Sequence, residues 1–431
     1  MITPLRVLEF FSGIGGMRMG LELSGIPTHI VCAFDTNTVA NTAYKASFGE
    51  TPRAGDICSL TTKKLDAWDA DVWTMSPPCQ PYTRLGNQRD HLDIRASALL
   101  CLTQRIREMC HPPRYILLEN VHLFQRSVSF SMLYSALLEK GYTVRAYLIS
   151  PVDCGVPNSR LRFFLLAKLR VASAPLAPQR EPTQPIPPLH PGPPLPVQTG
   201  LPRWADPAAP MWVQTLARFL ASLPPSAAPA PPAEVVIPAA IPVGEETTVG
   251  TGRTEEVEEA EGDGDLGCGG GSYRLHAVGA TPLGIFMDRR NDDDRSLWLE
   301  TYPAFAARVQ AMDLVGPQDD HTCCFTKGYT KLAEGAGSVF RMANGNLRFF
   351  HPLEIARLHC FPAPPPQDPY VPRPPSIPWP LSPEDPPGMP GHPLDFGEVT
   401  LRQRYRLLGN SLNSAVVGVL FRYLVAGFSM E

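Results

Sequence analysis

A thiol, a carboxyl group and two guanidiniums are the residues in this chain best suited to chemistry. Cys79 lies in Thr74-Met75-Ser76-Pro77-Pro78-Cys79-Gln80-Pro81-Tyr82, immediately after a hydrophobic run that reads as a strand. The prolines fix φ and bias their predecessors to extended backbone, so the loop loses little ordering entropy in holding the sulfur still. Two readings fit these residues alone: a presented nucleophile, or a stiff turn with a small apolar filler. Glu119, in Leu117-Leu118-Glu119-Asn120-Val121, sets a carboxyl group at the end of a second apolar strand. An acid there is costly unless it is paired or has a function. In Val156-Pro157-Asn158-Ser159-Arg160-Leu161-Arg162-Phe163 the strand period of two puts Arg160 and Arg162 on one face. Such a pair suits a carboxylate, a phosphate or a carbonyl oxygen, and equally an ordinary ion pair at a sheet edge.

A second group of residues reads as a pocket for a nucleoside-containing ligand. Phe10-Phe11-Ser12-Gly13-Ile14-Gly15-Gly16 leaves a strand and enters a helix, where bare backbone approaches a ligand closely at a helix N-terminus. The full Gly-x-Gly-x-x-Gly spacing is absent, and glycine-rich turns also serve structure alone. Asp35 ends the following strand about 20 residues on, where a carboxylate commonly holds a ribose hydroxyl. Basic residues to clamp phosphates are missing, which favours a ligand without pyrophosphate, such as S-adenosylmethionine. Asp56 and Ile57 either hold the adenine by its exocyclic amine or form a solvated turn.

Together these groups fit one difficult reaction. Carbon 5 of cytosine is too electron-poor to take a methyl group unaided. A thiolate added at carbon 6, with an acid at ring nitrogen 3, moves electron density onto carbon 5. That carbon then attacks a sulfonium methyl, and loss of its proton expels the thiol. Cys79 is the nucleophile in this scheme, Glu119 holds or protonates nitrogen 3, and Arg162 steadies the ring carbonyl with help from Arg160.

These side chains need a frame, and the first part of the chain has the pattern of one. Strands are predicted at Leu5 to Phe11, His29 to Phe34, Asp71 to Met75, Arg114 to Glu119, Thr143 to Ile149 and Leu161 to Leu166. Helices are predicted at Gly15 to Ser24, Thr38 to Phe48, Arg95 to Cys110 and Ser131 to Lys140. The alternation implies an α/β fold, a mostly parallel sheet covered on both faces, with ligands beyond the carboxyl ends of the strands.

From Ala172 to Val243 the composition shifts to proline, alanine and leucine, and an acidic run follows from Glu245 to Asp265. Such a stretch buries too little apolar surface to offset its ordering entropy, so a disordered insertion is expected. Trp204, Met211, Trp212 and Leu216 inside it form either a short docking helix or scattered hydrophobes. A small region follows from Tyr273 to about Phe350, then a second proline-rich stretch from Pro362 to Pro393 and a helix-rich end from Leu401 to Phe428. The chain carries a formal charge of −4, but the acidic run holds nine carboxylates against one arginine and leaves the remainder net positive. Nucleic-acid binding is thus permitted by charge without being indicated by it. Ten cysteines without a Cys-x-x-Cys pair argue against a disulfide framework and a zinc ribbon. No metal site, signal peptide or membrane-spanning run is expected, and a reducing intracellular compartment is the default.

The motifs, in order, resemble those of the cytosine-5 methyltransferases: Phe-x-Gly-x-Gly-Gly at 11 to 16, Pro-Pro-Cys-Gln at 77 to 80, Glu-Asn-Val at 119 to 121, Arg-x-Arg at 160 to 162 and Gly409-Asn410-Ser411. The stretch with Arg348, Glu354, Arg357 and Phe361-Pro362 resembles the family's penultimate motif. The resemblance implies a Rossmann-like, class I S-adenosylmethionine-dependent catalytic domain over 1–171, completed by 351–431. It also implies a small target-recognition region at 267–350, with the insertion at 172–266 between them. It implies cofactor contacts from Phe11, Ser12, Gly13, Gly15, Gly16, Asp35, Asp56, Ile57, Pro77, Asn410 and Val416.

One branch of the family is favoured. Cys324-Phe325-Thr326-Lys327-Gly328-Tyr329 and Ser76 to Arg84 resemble the branch that methylates transfer RNA, with cytosine 38 in the anticodon loop of tRNA-Asp as target. Substrate contacts are then expected from Gln80, Arg84, Cys324, Thr326, Lys327 and Tyr329, and phosphate contacts from Lys327, Lys331, Arg341 and Arg348 or simply a solvated basic face. A cytoplasmic and nuclear location is implied. DNA cytosine-5 methylation is the alternative, followed by a catalytically silent nucleic-acid-binding homologue. The two proline-rich stretches and the acidic run depart from the compact branch enzymes.

Overall fold

The computed structural model describes residues 3–82, 90–170, 197–199, 281–363, 366–371 and 392–428. Its centre is a seven-stranded sheet of order β2-β1-β3-β4-β6-β5-β7. The strands are β1 (Leu5–Phe10), β2 (Thr28–Phe34), β3 (Val72–Met75), β4 (Tyr115–Val121), β5 (Tyr142–Ile149), β6 (Arg162–Leu169) and β7 (Val197–Thr199). β6 alone runs antiparallel, between β4 and β5, and the remaining pairings are parallel.

Period-two alternation sorts the strand residues into two cores. Val7, Val72, Leu117 and Leu166 face one layer, while Leu8, Trp73, Leu118 and Leu165 face the other. Residues of α1 (Gly16–Leu23) and α2 (Thr38–Phe48) fill the first layer, and those of α4 (Ser97–Glu108) and α5 (Val128–Glu139) the second. A short helix, α3 (Thr62–Ala67), was not foreseen, because six residues carry too little periodicity. α5 starts three residues before the expected Ser131, because Ser127 accepts the Phe130 N–H as its N-cap.

Two features differ from expectation in this part of the chain. Val197–Thr199, inside the segment expected to be a disordered insertion, forms the strand β7 against β5. The Trp204 to Leu216 segment and the acidic run lie outside the described residues. Cys58 and Cys101 form a disulfide where no framework was expected, their Cα atoms 5.3 Å apart as α4 packs on the turn at Ile57–Ser59.

The small region carries α6 (Pro303–Ala306) and a three-stranded sheet of β8 (Leu314–Val315), β9 (Val339–Arg341) and β10 (Leu347–Arg348). Its apolar side chains, among them Phe325, Phe340 and Phe349, merge with the first core. Arg348, expected on a phosphate-facing surface, is instead fully buried. Its guanidinium meets both oxygens of buried Glu354, at 2.8 and 3.0 Å, and Asp292 at 2.9 Å. Glu354 caps the start of α7 (Pro352–Leu358), so its buried charge needs a partner, and Arg348 is that partner. Lys331 and Arg341 remain exposed.

The chain then returns to the main sheet through α8 (Leu401–Gly409) and α9 (Ser414–Val425). α9 lies on α1, where Ser414 Oγ donates to Gly16 O and Arg422 to Ser24 O. Among the described residues no helix is long and apolar enough to cross a membrane.

Candidate active site

Cys79 follows β3 on a loop held at both ends. The Ser76 N–H donates to Phe10 O at 3.3 Å, and the Tyr82 N–H donates to Cys79 O at 2.9 Å. Between them Asn120 Nδ2 donates to Pro77 O at 3.0 Å, so the end of β4 grips the Pro-Pro-Cys loop. Asn120 was not foreseen as a positioning residue; its place beside Glu119 was the available signal. Cys79 itself is half-buried against the second core, and Gln80 beside it is half-buried too.

Glu119 and Arg162 come from neighbouring antiparallel strands, and their side chains meet with Arg162 Nε 3.5 Å from Glu119 Oε1. Both are almost fully buried. Arg162 Nη1 also donates to Leu161 O at 2.8 Å, and Nη2 lies 3.7 Å from Cys324 Sγ. A carboxyl group and a guanidinium are thereby held side by side at the same sheet edge as the thiol loop.

Arg160 is placed differently from what the strand period suggested. β6 begins at Arg162, so Arg160 sits in the preceding loop and not on a shared strand face. Its buried guanidinium donates to Cys324 Sγ at 3.1 Å, Phe325 O at 3.0 Å, Gly409 O at 3.0 Å and Ser411 O. It thus fastens the Cys324 segment to the junction of α8 and α9. The two segments touch so closely that a Cβ on Gly409 would stand 2.2 Å from Lys327 N and Thr326 C. Only glycine fits there.

The expected substrate contacts divide. Cys324 lies against Arg160 and Arg162, and Lys327 is half-buried. Thr326 is buried, its Oγ1 accepting the Gly328 N–H. Tyr329 is a core residue: its hydroxyl donates to Ser338 O and accepts the Phe350 N–H, while its ring packs on Phe325, Phe349 and Tyr405. Sequence alone could not distinguish these from exposed contacts, because an aromatic-rich segment near a motif looks the same packed or presented. Arg84 lies outside the described residues.

Beyond the ends of β1 and β2 a cradle forms. Phe11, Gly13 and Gly15 have φ of 58°, 53° and 85°, alternate left-handed residues of the kind that curve a backbone into an anion- or ligand-binding concavity. The Gly13 N–H donates to Asp35 Oδ2 at 2.7 Å, and the Asn37 N–H donates to Asp35 Oδ1 at 2.7 Å. Burial pushes the Asp35 carboxyl up while these two donors pull it down, and burial prevails. Gly16 packs against Leu412, joining the loop to the C-terminal segment. Asp56 is exposed and caps the turn beginning at Ile57, accepting the Cys58 N–H at 2.9 Å. Pro77 and Val416 are buried, and Asn410 is exposed at the end of α8.

The loop suits a polar ligand by two observations. Ser12 Oγ is buried with no hydrogen-bond partner among the described residues, and the space where a Gly13 Cβ would sit is open to 4 Å. A polar ligand lying along the loop would meet both.

The chain as a whole is similar to known proteins. Residues 5–190 match the family model for C-5 cytosine-specific DNA methylases. A human tRNA (cytosine(38)-C(5))-methyltransferase is 31% identical over 98% of this chain and 100% of its own length. The Schizosaccharomyces pombe enzyme of the same name is 28% identical over 98% of this chain and 97% of its own length. The crystal structure of the S. pombe Dnmt2 methyltransferase superposes with a TM-score of 0.61 and 26% identity, covering 99% of this chain and 100% of that one.

Proposed function

Because this chain belongs to the cytosine-5 methyltransferase family, we propose that it methylates carbon 5 of cytosine in transfer RNA, with cytosine 38 of tRNA-Asp as the target. End-to-end likeness to enzymes named for that reaction carries the reading. Chemistry favours the same substrate, since a loop base is already partly unstacked and costs less to extrude than a base in a duplex.

S-adenosylmethionine, the methyl donor this reading requires, supplies an electrophilic methyl group when bound. Backbone of Phe11 to Gly16, the free Ser12 hydroxyl and the Asp35 carboxylate would hold it, with Asp56, Ile57, Pro77, Asn410 and Val416 as further walls. Cys79 Sγ adds to carbon 6 of the extruded cytosine, forming a carbon–sulfur bond as the electron pair moves toward nitrogen 3. Glu119 meets that nitrogen and donates or shares a proton there, so that carbon 5 gains nucleophilic character. Arg162, 3.5 Å from Glu119, orients the carboxyl group and faces the ring carbonyl. After carbon 5 is methylated, loss of its proton returns the electron pair, breaks the carbon–sulfur bond and frees Cys79. Arg160 contributes by position, holding the Cys324 segment behind Arg162.

The test compares labelled methyl transfer to tRNA-Asp, to the same tRNA with uridine at position 38, and to duplex DNA. Transfer to the first alone is expected. Preferential labelling of the duplex would overturn the tRNA assignment, and equal background labelling by wild type and Cys79→Ala would overturn the enzyme reading.

A further inference from the structure

His359, just beyond α7, is fully buried, and neither Nδ1 nor Nε2 has a hydrogen-bond partner among the described residues. Buried polar groups without partners are uncommon in native proteins and costly. Its main chain is firmly held: the N–H donates to Ile355 O at 2.9 Å, and the carbonyl accepts the Ser414 N–H at 2.9 Å. The ring stands edge-on to Phe361 with centroids 5.9 Å apart. Burial, together with the positive charges of Arg160 and Arg162, holds the imidazole well below the usual histidine pKa. It is therefore neutral, with one N–H donor and one lone-pair acceptor. Arg160 reaches the same segment, since it donates to Ser411 O, three residues before the Ser414 N–H that His359 O accepts. Arg160 Nε is buried and has no hydrogen-bond partner among the described residues, although both Nη atoms of that guanidinium are engaged.

We infer that His359 is a positioning residue for the arginine clamp, a ring nitrogen accepting, through an internal water, the N–H that Arg160 leaves free at Nε. A buried water needs two or more polar partners, and the imidazole with Nε supplies them. The link completes the bonding of Arg160, which already fixes Phe325, Gly409 and Ser411. The orientation of the loop that delivers Arg162 to Glu119 thus depends on a residue that touches none of the reacting atoms.

The activity readout rests on the methyl-transfer reading, and a second readout does not. His359→Phe keeps a ring and removes both nitrogens, whereas His359→Gln keeps a donor and an acceptor. With wild-type transfer to tRNA as the control, the phenylalanine variant is expected to lose about tenfold in kcat through displacement of the reacting groups. KM for tRNA should stay within about twofold, and the glutamine variant should recover kcat to within about threefold of wild type. Independently, the Arg160 Nε–H followed by nitrogen-15 NMR should exchange about tenfold faster in His359→Phe than in wild type or His359→Gln. If the phenylalanine variant does not accumulate folded, His359→Leu replaces it with the same expectations. Equal kcat and equal exchange in wild type and the apolar variant overturn the proposal, as does a loss that His359→Gln shares in full. A wild-type protein that transfers no methyl counts against the function reading instead and leaves the exchange comparison to decide this one.

Discussion

Arg160 and Arg162 stand two residues apart and serve different ends. Arg160 spends its Nη donors on Cys324 Sγ and on main-chain carbonyls of 325, 409 and 411, whereas Arg162 faces the Glu119 carboxyl group. Substitution should separate the two roles. Arg160→Ala leaves several buried acceptors unmatched and should cost about 3 kcal/mol or more of stability, read by urea unfolding. Arg162→Ala should lower kcat about a hundredfold or more, with a smaller loss of stability than Arg160→Ala. If Arg162→Ala proves the more destabilising variant and Arg160→Ala the one with the larger fall in kcat, the roles are assigned the wrong way round. At this scale the placement of polar residues beside apolar strands was readable, as with Cys79 on the loop after β3, Glu119 near the end of β4 and Arg162 at the start of β6. It was least readable where burial decides, since nothing local marks Arg348 as the partner of Glu354 or Tyr329 as a core residue.

Two of the close contacts between elements each predict a measurable effect. Where α8 ends against the Cys324 segment, Gly409→Ala would push a methyl to 2.2 Å from main-chain atoms of Thr326 and Lys327. Overpacking of this kind should cost about 1–3 kcal/mol and loosen the Arg160 clamp, so both the melting temperature and kcat should fall. An unchanged melting temperature would show that the two segments separate freely. Beneath the cradle, Glu9 of β1 is fully buried, accepting from Tyr44 Oη at 2.8 Å and from the Arg18 N–H at 3.3 Å. Burial prevails over these partners and pushes its carboxyl from 4.5 up to about 7. Between those values the folded chain keeps a proton that the unfolded chain releases. The contribution is therefore full below pH 4.5, is lost as pH rises to about 7 and is flat above, amounting to about 3 kcal/mol. Glu9→Gln should remove that part of the pH dependence in unfolding titrations, and identical slopes for the two proteins would contradict it. Most elements were legible because long alternating or amphipathic runs dominate them. The antiparallel direction of β6 was not, since a strand reads the same both ways and only its place between β4 and β5 fixes it.

For the whole molecule, charge is unevenly shared. Nine carboxylates crowd Glu245 to Asp265, whereas the rest of the chain is net positive. Repulsion between that run and the phosphates of a polynucleotide predicts that deleting Glu245 to Asp265 tightens tRNA binding at low salt, with the difference shrinking as salt rises. Equal affinities at low salt would remove the idea. The order of motifs along the chain was legible from sequence, and so was the return of the C-terminal helices. Their convergence was not, because it depends on contacts such as Arg160 to Gly409 that span the length of the fold. The claim on which the account turns is that the Cys79 thiol attacks a cytosine of transfer RNA. A tRNA-Asp carrying 5-fluorocytosine at position 38 tests it, since fluorine at carbon 5 cannot leave as a proton does and the thioether is trapped. Incubation with S-adenosylmethionine should yield a denaturation-resistant protein–RNA adduct whose cross-linked peptide contains Cys79, absent with Cys79→Ala. An adduct that persists in Cys79→Ala, or wild-type protein that methylates ordinary tRNA yet never traps the fluorinated one, would contradict it.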